Sequence, residues 1–260
     1  MSHFTVLVIG DDVEGKLAPY NEEKRVAPYK DYMSVEARER MAKHYGIKVE
    51  DTEALLSKMK DWCGREGGAD EKGMYEVSTY NPESKWDWYQ IGGRWAGSFV
   101  LKKGCKGASL DPSWGWEAEE LKELMESGRT DQARYGDIDW GATLAPSEKQ
   151  LQSYNDLWDW IEGKLSDKEA QDKRVFIFYK KEYYLNRYHS REEYIRRQCS
   201  FGTYAVITED GLWHSPGEMG WWGLSSETDN QQEEWDNNYW DRFLKNLNPE
   251  TLITVVDCHI

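Results

Sequence analysis

The chain opens and closes on the same kind of segment. His3 to Gly10 reads HFTVLVIG and Leu252 to Val256 reads LITVV, each rich in β-branched residues and apolar at nearly every position. A strand with water on one face alternates apolar and polar residues, whereas a continuously apolar run suits a strand covered on both faces. Both ends are therefore predicted to lie centrally, near each other in one sheet. A helical pattern over 231–247, with Trp235, Tyr239, Phe243 and Leu247 on one stripe, runs into the last strand. This order predicts an α+β fold: a mixed or antiparallel sheet with a ferredoxin-like core carrying helical insertions.

Between the ends, Ser34 to Tyr45 reads as a helix with Ser34 as N-cap and Gly46 just beyond its end. Thr52 to Cys63, Ala118 to Ser127, Pro146 to Lys164 and Arg191 to Cys199 read as further helices. Strands are predicted at 75–80, 86–91 and 98–103, and most strongly over Arg174–Tyr179 (RVFIFY). Tyr204–Ile207 and Leu212–His214 form a predicted hairpin around Glu209-Asp210-Gly211. The stretches 64–73 and 104–116 read as loops from their Gly, Pro and Ser content. No linker separates parts of the chain, so one domain over 1–260 is expected, with a variable insert at about 104–128.

A mean hydropathy of −0.86 could signal disorder. The 14 Trp, 16 Tyr and 6 Phe argue against it, because disordered chains are poor in large rings. The excess of 48 acidic over 33 basic side chains gives a net charge of −15. That field repels phosphate backbones at long range and disfavours bulk nucleic acid as a partner. A few arginines at short range can still hold a small anion. Cys63, Cys105, Cys199 and Cys258 form no C-x-x-C pair, which points to a reducing compartment. With no signal peptide and no apolar stretch near the roughly 20 residues of a membrane span, a cytoplasmic location is expected.

Four segments are candidates for chemistry. In Trp86–Gly97 (WDWYQIGGRWAG), the paired glycines allow a turn whose amides can cradle an anion. Arg94 would supply a charged fork there, and Trp88 and Trp95 flat rings. In Gly217–Gly223 (GEMGWWG), Trp221 and Trp222 would wall a pocket or act as a lid. The predicted ligand site is thus Trp88, Gly92, Gly93, Arg94, Trp95, Trp221 and Trp222, with packing as the structural alternative for each block. Asp137 and Asp139 share a face in extended chain and are weak candidates for a metal ion; pairing with Arg134 is the ordinary alternative. At the end of the chain, Cys258 and His259 point to opposite faces and make a poor nucleophile pair. His259 facing His3 across the terminal strands is a candidate local site. No catalytic fingerprint occurs, and no cofactor is expected.

The blocks HFTVLVIG, IGGRWAG, DQARYGDIDW, GEMGWWG and LITVVDCHI together resemble a family of uncharacterised proteins encoded by bacteriophages and bacterial genomes. The resemblance spans nearly the whole chain. It implies a phage or prophage setting and carries over no catalytic residue.

Together these features favour a non-catalytic binder of a small nucleotide-like or anionic aromatic ligand, which could sequester a host immune signal. The alternative is an acidic inhibitor that blocks a host nucleic-acid-binding defence protein by charge mimicry. A second alternative is a metal-dependent hydrolase using Asp137, Asp139 and Glu218 or His259.

Overall fold

The computed structural model describes residues 2–63, 66–112, 118–220 and 224–260. In chain order, β1 (His3–Ile9) and α1 (Val13–Leu17) lead to β2 (Tyr29–Tyr32), α2 (Val35–Tyr45), α3 (Thr52–Cys63), β3 (Gly67–Asp70) and β4 (Gly73–Ser78). Then come β5 (Trp88–Ile91), β6 (Phe99–Val100), α4 (Ala118–Glu126), β7 (Arg129–Thr130), β8 (Gln132–Arg134), α5 (Trp140–Leu144) and α6 (Glu148–Ile161). Helices α7 (Asp167–Asp172), α8 (Lys181–Arg187) and α9 (Arg191–Gln198) precede β9 (Ala205–Ile207), β10 (Trp213–His214), α10 (Asp229–Tyr239) and β11 (Leu252–His259). Set beside the expected single domain, the chain forms two compact units: Met1–Lys16 with Trp88–Ile260, and Leu17–Asp87 inserted in its sequence.

The first unit is α+β, built on a mixed sheet of order β10-β9-β1-β11-β5. The terminal strands are central and neighbouring, antiparallel from His3↔His259 to Ile9↔Ile253. Both faces of the pair are buried, as their predominantly apolar runs lead one to expect. β9 lies parallel to β1 and opens the expected hairpin with β10. A ferredoxin-like order would instead put the second hairpin strand beside β1, so the observed connectivity corrects that part of the prediction. The far edge of β11 is shared: β8 pairs with residues 252–254 and β5 with 256–259.

One face of this sheet carries Leu7, Ile9, Val206, Ile253 and Val255, against which Trp235, Tyr239 and Phe243 of the last helix pack. That helix ends as a π-helical turn over Trp240–Leu244. A separate helical core joins α6, α7, α8 and α9 through Leu157, Trp158, Trp160, Ile161, Ala170, Tyr184 and Tyr194. Ser147 and Ser166 start α6 and α7 with capping boxes that close on Gln150 and Glu169.

The Arg174–Tyr179 segment is not a strand. Helix α7 closes on Arg174, whose φ is +57°, with the Val175 amide donating to Ala170 O at 2.9 Å. The chain then runs over the surface, leaving Phe176 and Phe178 75% and 79% exposed. The strand propensity is real, but among the described residues no strand pairs with it.

In the inserted unit, β2, β4 and β3 form an antiparallel sheet, and Ala42, Leu55 and Met74 bring α2, α3 and β4 together. Ser34 caps α2 by accepting from the Ala37 amide, and Gly46 ends it at φ +65°. The predicted loop at 64–73 contains β3, so that expectation is corrected over Gly67–Asp70. Its glycines have no strand propensity, and backbone pairing to β4 defines the strand. The predicted strands at 75–80 and 86–91 enter different sheets. Among the described residues, no helix is long and apolar enough to cross a membrane.

Candidate functional site

The Gly-Gly-Arg-Trp-Ala-Gly turn lies where β5 and β8 meet on the edge of β11. At the junction, Val255 accepts from the Gly92 amide and donates to Asp131 O, both at 2.9 Å. Gly92, Gly93 and Gly97 all have positive φ, and the turn curls around two fully buried carboxylates. Asp257 Oδ2 accepts from the Arg94 amide at 3.0 Å. Asp131 accepts from the amides of Gly97, Ser98 and Asp111. Burial pushes the Asp131 carboxyl above its ordinary range, against the pull of the Asp111, Gly97 and Ser98 amides.

The remaining amides of the turn are also engaged: Gly93 donates to Asp111 O, Trp95 to Gly92 O and Ala96 to Gly93 O. This nest therefore holds the protein's own carboxylates. A ligand phosphate would find the amides of Gly92 and Gly93 already donated. The side chains of Trp88, Arg94 and Trp95 are exposed around the turn. Trp221 and Trp222 lie outside the described residues. Their neighbour Gly220 accepts from Ser2 Oγ at 3.0 Å, at the start of β1, and Trp88 stands opposite His259 across β5 and β11. Trp88 and Gly220 thus lie at the same end of the sheet.

At that end His3 and His259 face each other, with ring centroids 4.9 Å apart. His3 Nδ1 is 2.8 Å from Asp257 Oδ1, so the carboxylate that holds the Arg94 amide also orients this ring. Asp137 instead accepts from Cys105 Sγ at 3.3 Å, and Asp139 caps α5 by accepting from the Ala142 amide at 3.0 Å. Arg134 pairs with Glu250 at 3.1 Å, not with either aspartate. Among the described residues, no group of three His, Cys, Asp or Glu side chains is placed to hold a metal ion.

A candidate site that sequence reading missed is a cavity of about 510 Å³ between α6, α8, α9 and the start of α10. Its rings include Tyr154, Tyr179, Tyr183, Tyr184, Tyr188 and Tyr194, with Arg187 among them. The volume suits a small organic ligand. Tyr194 stacks on Trp158 at 5.5 Å and meets the edge of Tyr188 at 5.1 Å, which anchors the floor in the helical core. Tyr179 stacks on Tyr183 at 4.0 Å. Burial raises the hydroxyl pKa of Tyr154, Tyr188 and Tyr194, so all three remain neutral hydrogen-bonding groups.

Arg187 donates to Tyr183 Oη at 3.0 Å and stands 3.7 Å from Asp236, outside direct hydrogen-bonding distance. Its guanidinium is partly engaged by Tyr183, Tyr188 and Asp236, and its remaining N–H groups can meet another partner. Two acids share the wall. Glu227 is engaged by Ser225 and Tyr204, and Asp229 heads α10, whose N-terminal dipole offsets its charge. None of Trp88, Gly92, Gly93, Arg94 and Trp95 lines this cavity.

Comparison of the chain with protein-family models, curated proteins and solved structures returned no match.

Proposed function

We propose that the protein is a non-catalytic binder of a small aromatic ligand carrying negative charge, held in the tyrosine-lined cavity. The observation that carries this reading is the presence of Arg187 and six tyrosines in the lining of one cavity of about 510 Å³. Rings cover the faces of a flat ligand, phenolic hydroxyls donate to its edge, and the guanidinium offers a planar fork to its charge. In the phage or prophage setting that the sequence blocks imply, such a binder would act in the host cytoplasm by sequestering a small signal.

Mass spectrometry of the purified protein, followed by titration with anionic aromatic compounds, tests this. A stoichiometric ligand is expected, with affinity falling about tenfold in Tyr183→Ala and in Arg187→Gln, the size of one lost stacking or charge-assisted contact. If no compound binds at saturating concentration, the reading is wrong.

A further inference from the structure

The segment that failed to become a strand forms part of the cavity wall. Phe176 and Phe178 both line the space, yet both rings are largely in water. Their centroids are 6.5 Å apart and their planes only 14° from parallel. This separation matches the two-residue rise of extended backbone, about 6.6 Å. It is also close to twice the roughly 3.4 Å at which nucleic-acid bases stack. Two near-parallel exposed rings with their centroids at that distance present two aromatic surfaces to a flat ligand.

The flanks of the segment run against the chain's overall charge: KRVFIFYKK carries four cations in a protein of net charge −15. Two of these are occupied. Lys173 pairs with Asp156 at 2.6 Å, and the Lys181 ammonium sits 4.7 Å from the centroid of the Trp160 ring. Arg174 and Lys180 are exposed, and neither has an ion-pair partner among the described residues. Arg174 also occupies a left-handed backbone position where glycine would be unstrained. Antiparallel pairing of two copies about Ile177 would set Arg174 against Lys180 and Lys173 against Lys181. Like charges therefore oppose self-association through this segment.

We infer that Phe176 and Phe178 form an open clamp for the base of a small nucleotide, with Arg174 and Lys180 placed to meet its phosphate. This adds a second subsite on the wall of the same cavity, separate from Tyr183 and Arg187, and rests on the cavity reading. Base-on-ring stacking gives the affinity and tolerates base identity. The two local cations act at short range, where the −15 field is screened. A longer strand would carry its remaining phosphates into that field, which favours a free nucleotide.

Calorimetric titration of the full chain with the common nucleoside monophosphates, their nucleosides and a short oligoadenylate tests the clamp. Wild type should bind a monophosphate more tightly than its nucleoside. Phe176→Ala/Phe178→Ala should lose about tenfold or more for both ligands. Arg174→Gln/Lys180→Gln should weaken the monophosphate and leave the nucleoside unchanged. All four positions are exposed, so folding should survive, and circular dichroism checks that it does.

Unchanged affinity in the double phenylalanine variant overturns the clamp. So does the absence of nucleotide binding in wild type, or tighter binding of oligoadenylate than of monophosphate at equal salt, which would assign the site to single strands. If nucleotides fail while other anionic aromatics still bind and depend on Tyr183, the clamp falls and the cavity reading stands. If nothing binds, both fall.

Discussion

Gly93 lies so close to Asp257 that a Cβ added to the glycine would stand 2.5 Å from the Cβ of the aspartate. Gly93 also has φ +55°, so backbone conformation and space both select glycine. Gly93→Ala should destabilise the first unit by roughly 2 kcal/mol or more, because it adds strain and displaces a buried carboxylate. Urea unfolding followed by tryptophan fluorescence measures this. A midpoint within error of wild type would show that the turn relaxes freely.

Asp131 should tolerate asparagine poorly, although the two side chains are nearly isosteric. Its two oxygens accept from three backbone amides. An asparagine turns one acceptor into a donor facing an amide, at a cost of about 1–3 kcal/mol. Because burial raises this carboxyl's folded pKa, its contribution to stability is full below the ordinary carboxylate value and is lost as pH rises through the folded value. Asp131→Asn should remove that slope. Stability measured against pH across the carboxylate range, for both proteins, checks the sign.

The terminal strands could be read from sequence because burial on both faces favours apolar residues at nearly every position of HFTVLVIG and LITVV. Helix α2 could be read because Ser34 and Gly46 act locally on its ends. Roles set by distant partners were not readable in this way. Nothing near Gly92 or Gly93 in sequence indicates that Asp131 and Asp257 fill the turn. Gly67–Asp70 is a strand only because β4 lies beside it. The RVFIFY run has the composition of a strand, and no strand among the described residues pairs with it. The tyrosine cavity left a faint signal, Tyr179, Tyr183, Tyr184 and Tyr188 at helical spacing, which looks like any amphipathic helix until Tyr194 and Arg187 are placed around it.

Arg191 ties α9 to α6 through Asp159 at 2.5 Å and Glu162 at 2.6 Å. Lys164 and Arg191 together hold the Glu162 carboxyl well down, at about 2. A depressed folded pKa contributes stability above the ordinary carboxylate value, and that stability is lost as pH falls through the folded value. Acidification should therefore loosen α9 and the cavity before the terminal-strand sheet. Arg191→Gln should produce the same loosening at neutral pH. Amide hydrogen exchange reads both: protection should drop over 191–198 and persist in β1 and β11. Uniform loss across the chain would contradict the assignment.

Tyr194 is the floor of the cavity and part of the helical core, so its two roles can be separated. Tyr194→Ala should destabilise by about 3–5 kcal/mol, as for other buried large aromatics. Tyr183→Ala, at a partly buried wall position, should change stability far less while weakening ligand binding. Thermal unfolding and ligand titration on both variants give the comparison. Equal stability losses would place Tyr183 in the core and not in a binding surface.

The most direct measurement is a crystal structure of the protein soaked or grown with a saturating anionic aromatic compound identified by titration. The predicted result is density for the ring among Tyr179, Tyr183 and Tyr188, with its charged group within hydrogen-bonding distance of Arg187. Density at the exposed Trp88, Arg94 and Trp95, with the tyrosine cavity empty, would contradict the account.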